Sequence, residues 1–392
     1  MSRRFRPGGP GRVPVWRRVK GSPGALVIAA VLLVGPVAWH PATLADPLAR
    51  AGYDAEGRME ALGVPGAAVA VFERDGLLWS EGYGVRTAGG ADSVTSRTLF
   101  QAASISKPVT AAAVLRLADA GLVDPDEDVN HSLVRWKVPE GELTQDEPVT
   151  LRRILTHRAG LTVHGFPGYH REVRLPSLPE ILDGRGQANT GPVRVEEVPG
   201  RVERYSGGGT TVAELLLEDV VERPFPEIMK EWVLGPAGMA ESTFEQPLPS
   251  ESESRAAQGH GPGGRVVDGG WHVYPERAAA GLWTTAEDLA RFARAVLVSL
   301  AGENPGLLSR AGARSMVLPE GGTFGMGFMA EELSGSRVVF HGGANRGFSG
   351  LLVVFPDEGG GVVVLTNGDN GHVLAREVVD VVAGVHGWGV AR

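Results

Sequence analysis

The chain has 392 residues, 43% of them hydrophobic and 21% charged, with no cysteine and a formal net charge of −8 at pH 7. That size and composition suit one large globular domain, or a domain with an inserted lobe, and exclude disorder for the bulk of the chain. The lack of cysteine excludes disulfides, thiolate metal sites and a cysteine nucleophile.

Residues 1–45 hold seven basic residues and no acid, and Ala25 to Trp39 forms an apolar run, ALVIAAVLLVGPVAW. A basic region, about fifteen apolar residues and the small residues of TLA ending at Ala45 predict a secretory signal, with an uncleaved membrane anchor as the alternative. SRRFR at residues 2–6 hints at a twin-arginine signal but lies far from the apolar run. Either reading predicts an exported protein, extracellular or anchored on the outer side of the cytoplasmic membrane. With that segment set aside, 31 basic residues face 46 acidic ones, a formal charge of −15. Such a surface argues against nucleic acid as a partner.

From Gly63 to Thr87 two β-rich runs flank the turn ERDG and predict a hairpin. A helix over 104–120 follows, apolar on nearly every side and therefore buried, with Pro108 near its first turn and Gly121 as its stop. A polar, proline-punctuated stretch leads to the short helix TLRRILTHRAGL, and loops rich in Gly, Pro and His run on to Gly200. TTVAELLLEDVVER predicts a helix over 210–223, and a third begins at Thr284 with a capping box between Thr284 and Glu287. Residues 246–275 between them read as a long loop. Four short β runs and a last helix, HVLAREVVDVVAGV, end the chain. The predicted fold class is α+β: one antiparallel sheet built from both termini, flanking helices and an inserted α-rich lobe, spanning about 50–390.

Only four of the 38 basic residues are lysines, and one of them, Lys107, sits inside the buried helix. A desolvated ammonium can give up its proton, whereas a guanidinium stays charged, so a lysine kept in apolar surroundings is a candidate base. Ser104 lies three residues before it, on the same helical face and at the positive end of the helix dipole. This pair has the parts of an activated nucleophile. Tyr205 stands in a Gly-rich turn running into a helix, where a phenol near a lysine can shuttle a proton. His341 ends a β run and precedes Gly342 and Gly343, which let another backbone approach an edge strand whose free N–H can bind an oxyanion. No cofactor and no metal site are predicted, and the partner expected is a small-molecule, peptide or ester substrate.

In order and spacing, Ser104-x-x-Lys107, Tyr205-Ser-Gly207 and His341-Gly-Gly343 resemble the three motifs of the serine β-lactamase-related proteins, the branch holding class C β-lactamases, D-alanyl-D-alanine carboxypeptidases and family VIII esterases. The likeness extends through GVPGAAVAVF, LTHRAGL, AGLWTTAEDLARF and GVVVLTNG. It implies a β-lactamase/transpeptidase-like fold, Ser104 as the acylated nucleophile, Lys107 and Tyr205 as its proton-transfer partners, and the N–H groups of Ser104 and Ala344 as an oxyanion hole. His157, in LTHRAGL, reads as structural. Two positions depart from the family pattern. Gly207 replaces an asparagine that contacts acyl-amide substrates, and His341 replaces a lysine that faces the substrate carboxylate, leaving a group only partly charged near neutrality. The expected activity is a serine hydrolase cleaving esters or D-amino-acid-type amides. An acyl or peptidyl transferase, a β-lactamase and a non-catalytic penicillin-recognising module are the alternatives.

Overall fold

A computed structural model of the chain describes residues 45–389 apart from 304, 305 and 334; the predicted signal or anchor segment lies outside the described residues. The strands are β1 (Gly66–Glu73), β2 (Gly76–Gly84), β3 (Phe100–Gln101), β4 (Trp283–Thr284), β5 (Met329–Leu333), β6 (Ser336–Asn345), β7 (Phe348–Phe355) and β8 (Gly360–Thr366). Six of them form an antiparallel sheet in the order β2-β1-β8-β7-β6-β5, and β3 pairs with β4 apart from it. The hairpin near the N-terminus and the strands near the C-terminus therefore meet at β1 and β8, as the sequence predicts, in a register running from Ala67 opposite Thr366 to Glu73 opposite Gly360.

Successive strand residues face opposite sides, and in this sheet both sides are apolar. Ala68, Ala70 and Phe72 of β1 join one core with Val363 and Leu365 of β8, while Ala67, Val69 and Val71 join a second core with Val362 and Val364. These side chains are almost wholly buried, each valine or leucine contributing roughly 1.5–3 kcal/mol. The helices that matter below are α1 (Ser106–Asp119), α2 (Leu151–Leu155), α3 (Gly207–Val221), α4 (Arg277–Ala280), α5 (Ala286–Ala301) and α6 (Gly371–His386). On the first side, α5 lays Leu289, Phe292, Ala293 and Val296 against β1 and β8. On the second, α6 covers β7 and β8 with Leu374, Ala375, Val378 and Val382. The lobe inserted between β2 and α5 carries α1 to α4. Among the described residues no helix is long and apolar enough to cross a membrane.

Four local expectations shift. The cap of α5 is Thr285, whose side chain accepts from Asp288 N, because Thr284 pairs with Phe100 and its hydroxyl meets Ser242. Helix α3 begins at Gly207 and not at 210, since Ser206 caps it and the carbonyls of His164 and Val163 accept from Gly207 N and Gly208 N. Strand β6 does not stop at His341 but continues to Asn345, with Gly342 and Gly343 paired to Leu351 and Gly350. Within 246–275 a helical turn, Ser250–Glu253, and a 3-10 turn, Pro262–Gly264, interrupt the loop.

Candidate active site

From Thr98 to Leu115 every residue is buried except Ser104, which is partly exposed. Ser104 lies in a 3-10 turn, Ala103–Ile105, leading into α1, and the turn is entered through Ala103 in the left-handed region at φ 51°. Four non-glycine residues among those described have positive φ, and three of them, Ala103, His157 and Val163, flank this site. Such backbone costs of order 1–3 kcal/mol per residue and collects at functional sites, where the surrounding packing holds it.

Lys107 is 4% exposed, and its Nζ donates to Ser104 Oγ at 3.0 Å and to the Ala279 carbonyl at 2.8 Å. That carbonyl belongs to a run of five that all face the site's supports. The carbonyls of residues 278 to 282 accept in turn from Thr110 Oγ1, Lys107 Nζ, Asn345 Nδ2, Gln246 Nε2 and Ala102 N. The sequence singles out AGLW only as part of a wider likeness; its backbone role has no side-chain signature.

Tyr205 precedes the cap of α3, and its ring centroid lies 5.0 Å from Lys107 Nζ. His157, His164, Phe324 and His341 surround that ring with centroids 4.3, 4.8, 5.9 and 6.2 Å away. His157 is buried, and its Nδ1 accepts from Ser206 N at 3.2 Å, so it fixes the peptide next to Tyr205. The structural role predicted for His157 agrees with these contacts. His164 and Phe166 went unremarked in the sequence because they sit in a loop without periodicity, and Phe324 because it reads only as the head of the β run FGMGFMAEEL.

On the opposite wall, β6 runs past the end of β5, whose last pair is Met329 with Phe340. A two-residue turn closes the β6–β7 hairpin at Asn345–Phe348, so residues 341, 343 and 345 face β7 and, by alternation, 338 and 340 face β5. Gly342 and Ala344 continue the β5 side with no strand beside them. A Cβ on Gly343 would collide with the Ala102 carbonyl, so glycine is what lets this edge reach the turn bearing Ser104. The close backbone approach predicted from Gly342-Gly343 is made at Gly343, whereas a Cβ on Gly342 would meet nothing nearer than the Gly350 carbonyl at 3.9 Å.

Gly207 lies at the first turn of α3. A Cβ there would sit 3.1 Å from both the His164 carbonyl and the Phe166 ring, so the loop fills the space that a side chain at 207 would enter. His341 differs from expectation. It is 3% exposed, its Nδ1 donates to the Gly342 carbonyl at 2.7 Å, and Nε2 has no partner. Burial, with Lys107 nearby, pushes the imidazole down to about 3. His341 is thus a neutral ring at pH 7 and not the partly charged group the sequence suggests. Among the described residues no group of three or more His, Asp or Glu is placed to hold a metal.

The family model described as Beta-lactamase matches residues 54–385. The chain belongs to that family. Protein Rv1367c of Mycobacterium tuberculosis is 30% identical over 270 residues, covering 59% of this chain and 62% of its own length. Penicillin-binding protein 4 of Amycolatopsis lactamdurans is 28% identical over 343 residues, 82% of this chain and 87% of that protein. Among solved structures, a β-lactamase/D-alanine carboxypeptidase from Yersinia pestis superposes with a TM-score of 0.66 at 17% identity, over 87% of this chain and 97% of that one. The fold is β-lactamase/transpeptidase-like.

Glu276, just before α4, is fully buried with neither carboxyl oxygen partnered, and burial pushes it up to about 8 from 4.5. Its folded form keeps a proton that the unfolded chain releases. The stabilisation is whole below about pH 4.5 and is lost as pH rises through about 8. Glu276→Gln is expected to melt like the wild type near pH 5 and several degrees higher near pH 8.5, a difference on the order of a few kcal/mol. Thermal melts of both proteins across pH 5–9 check it, and parallel curves would refute it.

Proposed function

We propose that this Beta-lactamase-family protein is a serine hydrolase that works through an acyl-enzyme on Ser104 and cleaves esters, or D-amino-acid-type amides more slowly. The observation that carries the reading is the 3.0 Å contact between Lys107 Nζ and the only partly exposed hydroxyl in a buried run. In the reaction, Lys107 takes the Ser104 proton while Oγ attacks the acyl carbonyl. The N–H groups of Ser104 and Ala344 receive the oxyanion as it forms. Tyr205, beside Nζ, returns the proton to the leaving group; water then attacks the ester with the same groups in reverse. The basic and apolar N-terminal stretch supports export.

Two features support the preference for esters. The neutral His341 offers no cation to a substrate carboxylate, and Gly207 offers no side-chain amide to an acyl amide. An activated ester departs with little help, whereas an amide or β-lactam must be held before its leaving group is expelled. Short-chain aryl esters are therefore expected to have a higher kcat/KM than a cephalosporin or a D-Ala-D-Ala peptide, and His341→Lys to shift the ratio toward the two carboxylate-bearing substrates. A wild type preferring either of those by tenfold, about 1.4 kcal/mol in the transition state, overturns the ester preference but not the acyl-enzyme.

A further inference from the structure

One buried carboxyl close to this machinery has no part in the reaction just derived. Glu214 lies on α3 at 0% exposure, between Ala213 and Leu215, which are equally buried. A carboxyl in such a place costs stability unless its partners return it. Its partners all lie on α4: Oε2 accepts from Ala278 N at 2.9 Å, and Oε1 meets Arg277 Nη1 at 3.4 Å.

Helix α4 is only four residues long, yet it connects α3 with α1. On the α1 side, Thr110 Oγ1 donates to the Ala278 carbonyl at 3.2 Å and Lys107 Nζ to the Ala279 carbonyl at 2.8 Å. On the α3 side Glu214 accepts from Ala278 N and Arg277 Nη1. The Ala278 N–H that Glu214 grips is one residue from the carbonyl that holds Lys107.

We propose that Glu214 is a positioning residue for Lys107: by fixing the Ala278 N–H it sets the Ala279 carbonyl, and that carbonyl aims Nζ at Ser104 Oγ. The inference rests on Lys107 serving as the base in the reaction above. Burial pushes Glu214 up to about 8, so near neutrality it is held mainly as the acid. Glutamine then reproduces its shape, its lack of charge and its acceptor oxygen, whereas leucine keeps only the volume.

The test compares full-length wild type, Glu214→Gln and Glu214→Leu by kcat and KM on an aryl ester, by the rate of fluorophosphonate labelling and by thermal melting. Glu214→Met replaces the leucine variant if that one does not fold. Misplacement of a reacting group by about 1 Å costs on the order of a hundredfold. The apolar variant is therefore expected to lose about 10- to 100-fold in kcat and in labelling rate, with KM within about twofold and no fall in Tm, while glutamine stays within about threefold of the wild type. An apolar variant with wild-type kcat overturns the proposal. So does a loss shared by glutamine, or one that tracks a lowered Tm, because either would mean that Glu214 only holds the fold. A wild type that fluorophosphonate does not label at all fails at the acyl-enzyme itself and removes the ground for the inference; labelled wild type with unaffected variants fails at Glu214 alone.

Discussion

Ser104→Ala is expected to lower kcat by about a millionfold, the scale seen when the nucleophile of a serine hydrolase is removed. The fold should survive almost untouched. Ser104 is the partly exposed residue of its run, and the one hydrogen bond its hydroxyl makes comes from Lys107, which keeps the Ala279 carbonyl as a second partner. An unchanged Tm with turnover at the assay floor is the predicted combination. Residual turnover above about a thousandth of the wild-type rate, once contaminating enzyme is excluded, would move the nucleophile elsewhere.

Lys107→Arg should be nearly as inactive as Lys107→Ala, each losing about a thousandfold in kcat, the scale of a general base in acyl transfer. Arginine would preserve positive charge and hydrogen-bond donors to Ser104 and Ala279. It cannot supply a neutral nitrogen to accept the serine proton. The check is kcat for both variants across pH 6–10, with melting curves to confirm folding. Arginine retaining a tenth or more of the rate would mean that position 107 contributes charge and not proton transfer.

The parts of this site that the sequence discloses are those carried by side chains at short spacing. Ser104 and Lys107 are three residues apart in a run whose burial is plain from composition, and the structure brings their side chains to 3.0 Å. Tyr205 is conspicuous because a Gly-rich segment follows it, although those glycines open α3 instead of preceding it: loop carbonyls accept from Gly207 N and Gly208 N, and a Cβ on Gly208 would lie 2.8 Å from the Thr162 carbonyl. The unbroken apolar runs Ala67–Phe72 and Val362–Leu365 mark β1 and β8 as strands covered on both faces. What the sequence hides depends on contacts made across the chain. The Ala279 carbonyl is a backbone group, identical in sequence to any other. Glu214 and Arg277 are 63 residues apart and meet only in the fold. The neutrality of His341 arises from the burial of its ring and from Lys107, neither of which spacing reveals. The choice between Thr284 and Thr285 as a cap turns on a strand pair with Phe100 that no local pattern shows.

The central claim is a covalent intermediate on Ser104, and the most direct measurement is intact-mass spectrometry of wild-type protein quenched in acid within seconds of mixing with a short-chain aryl ester or a penicillin. The account predicts a mass gain equal to the acyl group, or to the whole opened penicillin, confined after proteolysis to the peptide holding Ser104 and decaying at the rate of turnover. Turnover with no adduct at any quench time, or an adduct confined to another residue, would contradict it.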